Sequence, residues 1–346
     1  MSSFTISYWN VLANGYPYSE DHGEPIFNGQ TSVGLERIQK ILKKLSDFMN
    51  EYPDIILCLQ EVNNPIFKEL LIFLNKKNYS YLYQNNDIYN DKSLGVMIAY
   101  PNKLEVKNVA IDIPQTFTKE IWVNDLPGKY TEAWNKITSG FVEFIKAPIS
   151  LYEAYYKFES RLEHLHWRST GKRSTKPMIA IQFETLSGEV FIIANSHLSC
   201  DYQFPEVMQM HAYSFAKFTQ KLMKEWNCDN VIFGGDFNMK HEALDCITSG
   251  NWIQNSSLWY KFTNLEPMQI VTKSDWDEIS CSRIKDNKSF IGNLDHCICS
   301  KQILKNYSII AKRHCGDSIT LPNKDCPSDH PAIMMTFENK KNVRRD

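Results

Sequence analysis

Asp54-Ile55-Ile56-Leu57-Cys58-Leu59-Gln60-Glu61-Val62 reads as a buried strand that ends on two polar side chains. Its unbroken apolar run is short, follows Pro53 and is too short for a helix. Working outward, residues from about Ser32 to Asn50 carry Leu35, Ile38, Ile41, Leu42 and Leu45 at helical spacing. Phe4 to Val11 is rich in strand formers, Pro65 to Lys77 is again helical, and Leu94 to Tyr100 is a strand closed by Pro101. The pattern resumes later. Met178 to Glu184, the turn Ser187-Gly188 and Val190 to Asn195 read as a hairpin, and a helix covers roughly Glu206 to Glu225. Strands follow at Val231 to Gly235, Leu294 to Ser300 and Ala332 to Phe337. Strands and helices mixed in this way, with short turns, define an α/β protein.

The middle of the chain breaks the alternation. From about 113 to 176 there are aromatics at Trp122, Tyr130, Trp134, Phe141 and Phe144, then a helical stripe at Leu151, Tyr155, Phe158, Leu162 and Leu165. A basic stretch with Arg161, Arg168, Lys172, Arg173 and Lys176 follows. One reading is an inserted, mostly helical hairpin packed on the core. The other is a lid or platform on which bases stack and phosphates meet cations. No fixed-period repeat or low-complexity linker divides the chain, so residues 1–346 are expected to form one domain carrying that insertion.

Composition excludes several classes. The 346 residues are 43% hydrophobic, enough for a sizeable core, and the net charge of −2 gives no global attraction for a polyanion. Such a substrate would need a local basic groove. Nine cysteines, an odd number without a Cys-x-x-Cys pair, suit reduced thiols in a cytoplasmic or nuclear setting. Met1-Ser2-Ser3-Phe4-Thr5 has no basic start followed by an apolar run, so secretion is not expected. No apolar run approaches the ~18 residues of a membrane span.

Five strings carry the chemistry, each at the end of an expected strand: Tyr8-Trp9-Asn10-Val11-Leu12, Gln60-Glu61-Val62, Asn195-Ser196-His197-Leu198, Gly234-Gly235-Asp236-Phe237-Asn238 and Pro327-Ser328-Asp329-His330-Pro331. Phosphoester hydrolysis needs an oriented water, neutralised phosphoryl oxygens and help for the leaving oxygen. Glu61 closes an apolar strand, where a carboxylate is costly unless it holds a cation, and oxygen ligands suit Mg²⁺ or Mn²⁺. His330 has the pKa range for general-base work, and Asp295 is the candidate acceptor that fixes its tautomer. Asp236 could position or deprotonate water, Asn238 could donate to a phosphoryl oxygen, and His197 could face the charge developing on phosphorus.

In this order the five strings resemble the endonuclease/exonuclease/phosphatase superfamily, over nearly the whole chain except the middle insertion. The resemblance implies a four-layer α/β sandwich, two packed mixed β-sheets flanked by helices. It implies one catalytic site made of Asn10, Glu61, His197, Asp236, Asn238, Asp295, Asp329 and His330, with Glu61, Asn10 and Asp329 as metal ligands. Leu35-Glu36-Arg37-Ile38, the strand to Glu61 and Phe290-Ile291-Gly292-Asn293-Leu294-Asp295 look like the deadenylase, nocturnin and 2′-phosphodiesterase branch. By that likeness Phe290 stacks on adenine. Tyr202 holds a spacing where that branch has proline, Glu206 stands where it has arginine, and His296 stands where tyrosine is usual. Arg37, Arg168, Lys172 and Arg173 complete the expected substrate contacts. The implied activity is a Mg²⁺-dependent 3′-5′ exoribonuclease, deadenylase-like, with Mn²⁺ as a substitute and RNA as partner. The alternatives are a 2′,5′-oligoadenylate phosphodiesterase, a nucleotide 2′-phosphatase, a DNA endonuclease, a lipid or inositol phosphate phosphoesterase, and a non-catalytic RNA-binding protein.

Overall fold

The computed structural model describes residues 3–13, 35–85, 94–112, 176–185, 187–200, 205–250, 265–272, 281–285, 288–314, 321 and 326–340. The first stretch gives strand β1 (Ser3–Asn10), helix α1 (Leu35–Glu51), strand β2 (Ile56–Val62) and helix α2 (Asn64–Lys76). Strands β3 (Tyr79–Gln84), β4 (Gly95–Pro101) and β5 (Glu105–Asp112) follow. The next described segments form β6 (Met178–Glu184), β7 (Val190–His197), α3 (Pro205–Glu225), β8 (Val231–Asp236) and the short α4 (Asp245–Ser249). Then come β9 (Gln269–Ile270), β10 (Cys281–Lys285), β11 (Lys288–Gly292), β12 (Asp295–Cys299), α5 (Lys301–Asn306), β13 (Tyr307–His314) and β14 (Ala332–Asn339). The expected insertion at about 113–176 lies, apart from Lys176, outside the described residues.

Among the described residues the strands make two mixed six-stranded sheets and the separate hairpin β10–β11. The first sheet runs β13-β14-β1-β2-β4-β3 and the second β5-β6-β7-β8-β12-β9. Each has one parallel pair near its centre, β1 with β2 and β7 with β8, and a helix lies between the two strands in sequence. The C-terminal ends of these four strands carry Asn10, Glu61, His197 and Asp236. A parallel pair aligns its carboxyl ends, and open α/β sheets place their ligands beyond such ends.

Alternation along the strands builds the layers. Ile6, Tyr8, Ile56, Cys58, Val96 and Ile98 of the first sheet meet Ile179, Ile181, Phe183, Phe191, Ile193 and Ile232 of the second. The other face of the first sheet takes Ile38, Ile41, Leu42, Leu45 and Phe48 from α1 and Ile66, Leu70 and Leu74 from α2. The outer face of the second takes Ala212, Phe215, Ala216 and Leu222 from α3. Helix, sheet, sheet and helix give the four expected layers. The helical stripes are buried because they are the faces that complete each outer layer. Truncating a fully buried member such as Ile41 to alanine costs about 2–5 kcal/mol. Helix α2 carries Pro65 in its first turn, where a missing N–H costs nothing, and ends where the Lys77 amide reaches the carbonyls of Phe73 and Leu74.

Two clamps, one polar and one steric, fix the strands beneath their ends. Gln60 Nε2 donates to Asn195 Oδ1 at 2.7 Å, and Asn195 Nδ2 donates to the carbonyls of Leu59 and Met97 at 3.0 and 2.9 Å. These buried amides tie β2 and β4 to β7 across the sandwich. The second clamp is made of glycine. A Cβ on Gly234 would stand 2.5 Å from the His296 carbonyl oxygen, and one on Gly235, at φ +135°, would collide with the Ser196 carbonyl. The glycine pair thus serves the close passage of β7, β8 and β12.

Candidate catalytic site

Glu61 sits at a break in register. β2 pairs with β4 through Gln60↔Val96 and then Val62↔Gly95, which leaves Glu61 as the extra residue of a bulge, at φ +58°. A non-glycine residue holds that left-handed conformation only at a cost of about 1–3 kcal/mol, so its surroundings must determine it. Leu12 and Asn238, next to the site, share the conformation at φ 56° and 54°. The bulge turns the Glu61 carboxylate toward its neighbours. Oε1 accepts from Asn10 Nδ2 at 3.0 Å and Oε2 accepts from the Ala13 amide at 3.0 Å. Asn10 Nδ2 also donates to Asp236 Oδ2 at 2.9 Å. One amide therefore clasps two carboxylates from different sheets.

The histidines close the group. His197 Nε2 lies 3.6 Å from Asp236 Oδ2 and 3.9 Å from Glu61 Oε1. His330 Nδ1 is 2.7 Å from Asp295 Oδ2, and its Nε2 is 3.7 Å from Asp236 Oδ2. A carboxylate only accepts, so Nδ1 carries a proton toward Asp295, while Nε2 is directed toward Asp236. Asp295 and Asp236 are register partners of adjacent strands. Asn238 closes the turn after β8: its amide donates to Asp236 Oδ1 at 2.8 Å and its Nδ2 to the Leu198 carbonyl at 2.8 Å. The Ser328-Asp329-His330 segment is held from β1. Trp9 Nε1 donates to the His330 carbonyl at 2.9 Å, and Ser328 Oγ donates to the Asn10 carbonyl at 2.6 Å.

Electrostatics show what the group lacks. Burial pushes the Asp236 carboxyl up, opposed by His330 and reinforced by Asp295. Burial likewise raises Asp295, against the pull of His330. For Glu61 burial again acts upward, but His197, the Ala13 amide and Asn10 outweigh it and leave the group below its usual range. Burial lowers His197 to about 4, helped by the charge of Lys176, so its imidazole is neutral near pH 7. Two groups of ligand atoms lie within 4.8 Å of one another: Glu61, His197 and Asp236, and Asp236, Asp295 and His330. Buried carboxylate oxygens beside a neutral imidazole fit a divalent cation, whose charge would relieve the crowded acids.

The structure therefore brings together Asn10, Glu61, His197, Asp236, Asn238, Asp295 and His330. Two of the expected metal ligands, Asn10 and Asp329, make other contacts here. Asn10 accepts the Leu12 amide at its Oδ1 and turns its nitrogen to the carboxylates, so here it clasps the two acids. Asp329 is buried beside this site but belongs to neither ligand group; its charge acts on Arg37 and Asp295. Arg37, expected to meet substrate, is buried. Its Nε donates to the Pro327 carbonyl at 3.0 Å and its Nη2 to the carbonyls of Val11 and Leu12, bracing the loops that carry Asn10 and Asp329. The signal for that role was available: Arg37 shares the buried stripe of α1 with Ile38, Ile41 and Leu45. Lys176, counted only as part of a basic stretch, stands within electrostatic reach of Glu61 and Asp236, and burial lowers its pKa. Of the remaining expected contacts, Tyr202, Arg168, Lys172 and Arg173 lie outside the described residues. For Phe290 only the backbone is described, in β11 opposite Arg283.

Comparison with known proteins gives a consistent picture. A model described as the Endonuclease/Exonuclease/phosphatase family matches residues 8–330. A curated relative, the probable CCR4-Not complex 3′-5′-exoribonuclease subunit Ccr4 of Vairimorpha ceranae (strain BRL01), is 23% identical over 178 residues. That match spans 49% of this chain and 37% of the relative's length. Among solved structures, ANGEL2, a 2′,3′-cyclic phosphatase, matches at TM-score 0.63 and 13% identity, covering 97% of this chain and 95% of that one. The human Nocturnin catalytic domain with bound sulfate matches at TM-score 0.57 and 16% identity, covering 97% and 93%. TDP2 from C. elegans matches at TM-score 0.55 and 12% identity, covering 97% and 75%. These structural likenesses are likenesses of fold.

Proposed function

The chain belongs to the endonuclease/exonuclease/phosphatase family, and from that premise we propose that it is a Mg²⁺-dependent phosphoesterase that shortens RNA from its 3′ end, with poly(A) favoured. The observation that carries the reading is the convergence of Glu61, His197 and Asp236 with the His330–Asp295 pair at one end of the sandwich. The RNA substrate and its polarity rest on the exoribonuclease relative and on the Phe290 to Asp295 string.

Glu61, Asp236 and His197 would hold the cation; Mn²⁺ fits the same donors. Bound there, it supplies charge neutralisation at the phosphoryl oxygens. The chain's own groups do the rest. Asp295 fixes the tautomer of His330, so that Nε2, directed toward Asp236, can take the proton of a water. Asp236 orients that water through its remaining lone pairs. Neutral His197 and the second hydrogen of the Asn238 Nδ2, whose first is held by the Leu198 carbonyl, would face the phosphoryl group from the second sheet, and Asn10 keeps the two carboxylates at fixed separation. Among the described residues no helix is long and apolar enough to cross a membrane. The free thiols Cys58, Cys228, Cys297, Cys299 and Cys326 suit the cytoplasm or nucleus.

The test is a substrate panel with Mg²⁺: end-labelled poly(A), mixed-sequence RNA, DNA, 2′,5′-oligoadenylate, NADPH and RNA ending in a 2′,3′-cyclic phosphate. The expected result is stepwise 3′ shortening, fastest on poly(A) and stopped by chelator. Faster turnover of another member would move the assignment to that substrate, and no turnover of any would refute it.

A further inference from the structure

The Glu61 bulge is held from outside the site as well as from within. Tyr83, on edge strand β3, reaches across β4 and donates its hydroxyl to the Val62 carbonyl at 2.9 Å, one residue beyond Glu61. Its path runs over Gly95, the register partner of Val62. A Cβ on Gly95 would stand 2.5 Å from Tyr83 Cε2 and 2.7 Å from its hydroxyl oxygen. Gly95 is thus required for space, to let the ring pass. The ring is fixed in its other plane by Phe67 of α2, stacked at 4.0 Å between centroids and 16° between planes. A half-buried tyrosine with its face packed and its hydroxyl bonded has little freedom, so the bond acts as a stay on the strand end.

We propose that Tyr83, lying across Gly95, is a positioning residue that holds the Glu61 bulge in its ligand geometry. The proposal rests on the reading of Glu61 as a ligand of the divalent cation. Left-handed backbone at Glu61 is unfavourable alone. Inside the site, Asn10 and Ala13 restrain the carboxylate. On the far side of the bulge the Tyr83 bond to Val62 adds to the ladder pairing of Val62 with Gly95, and among the described residues it is the side-chain hydrogen bond that reaches this backbone. Without it, Glu61 would sample pairings in which its carboxylate leaves the group.

The same strand supplies a matched control. Tyr79, four residues earlier, donates its hydroxyl to the Ile55 carbonyl at 3.1 Å, at the opposite end of β2. Tyr79→Phe removes an equivalent bond from the same pair of strands, away from the bulge. The experiment is a Mn²⁺ titration by electron paramagnetic resonance on the metal-free full chain, for wild type, Tyr83→Phe, Gly95→Ala and Tyr79→Phe. Melting temperatures are measured alongside, with turnover of a bis-aryl phosphodiester at saturating metal. Tyr83→Phe is expected to raise the Mn²⁺ dissociation constant about fivefold, which is about 1 kcal/mol at ~1.4 kcal/mol per factor of ten. Gly95→Ala, which displaces the ring, should weaken binding at least as much. Tyr79→Phe should leave the constant within about twofold while lowering the melting temperature as much as Tyr83→Phe does. Turnover at saturating Mn²⁺ should recover in Tyr83→Phe. An unchanged constant in Tyr83→Phe, or an equal rise in Tyr79→Phe, overturns the role of Tyr83 and leaves the metal site standing. A wild-type chain that binds no Mn²⁺ refutes the metal site itself, and this role with it.

Discussion

Replacing Asp295 by asparagine separates charge from shape at the His330 pair. Asp295 meets His330 through Oδ2 alone, at 2.7 Å, and Oδ1 has no hydrogen-bond partner among the described residues. An asparagine has two ways to sit there. With its oxygen toward Nδ1 it keeps the tautomer but loses the charge that stabilises imidazolium, and its NH₂ is buried without an acceptor. With its NH₂ toward Nδ1 it forces the proton onto Nε2, and His330 cannot act as a base. Both outcomes remove most of the general-base contribution, which is typically 10²–10⁴-fold, or about 3–5 kcal/mol of barrier. We expect Asp295→Asn to lower kcat/KM about 10²–10³-fold and His330→Ala about 10³-fold. The double variant should fall no further than His330→Ala, because the two act as a unit. The assay is hydrolysis of a labelled oligoadenylate at saturating Mg²⁺ across pH 5–9, with Mn²⁺ affinity measured in parallel. In wild type the rate should fall on the acid side as a base protonates; in the variants that limb should flatten. Losses that multiply in the double variant, or an unaltered acid limb in His330→Ala, would refute the pairing.

Glu61→Gln keeps the shape of the strand end and removes its charge, so turnover should drop more than about 100-fold with the fold retained. Circular dichroism and a Mn²⁺ titration check it, and near-normal activity at saturating Mg²⁺ would contradict the ligand role. His197 has a folded pKa of about 4 against about 6.5 when unfolded, so the unfolded chain takes up a proton that the fold refuses. Its contribution is whole above about pH 6.5, declines as pH falls and is gone by about pH 4, a swing of at most about 3 kcal/mol. Urea unfolding in chelator at pH 7.5 and 4.5 should show a smaller acid loss in His197→Gln than in wild type, and equal losses would exclude His197 as the source. Phe290→Ala should cost roughly ten- to a hundredfold in kcat/KM on poly(A) and much less on a bis-aryl phosphodiester. Equal losses on both, with a lowered melting temperature, would make Phe290 a packing residue.

Much of this arrangement was legible because central strands are uniform. β1, β2, β4, β6, β7, β8 and β14 are buried over most of their length, and their apolar runs announce them. The edge strands β3, β5 and β13 were not visible. They alternate partly exposed and polar residues, as in Glu105-Val106-Lys107-Asn108, and depend on a neighbour for pairing. At the site, the strand-end strings located the acids and histidines. What they hid was direction: which atom of Asn10 faces the carboxylates, and whether Arg37 looks outward or at backbone carbonyls. Those are settled by contacts between residues 25 to 290 positions apart. The same holds for Tyr83, an ordinary strand tyrosine until β4 brings Gly95 beneath it.

The placement of β1 has a consequence for how the protein is made. It is flanked by β2 on one side and by β14 on the other, with Ser3 paired to Glu338 and Tyr8 to Ile333. Synthesised before both partners, this strand can join β2 early, but its second edge stays open until residues 332–339 leave the ribosome. At roughly 5–20 residues per second that interval lasts tens of seconds. An apolar strand with an unpaired edge is a template for wrong partners. Contacts so distant in sequence also make the last step of folding slow. The nascent chain therefore has a long window in which holding chaperones would matter, and weakening of β14 should first appear as lost yield.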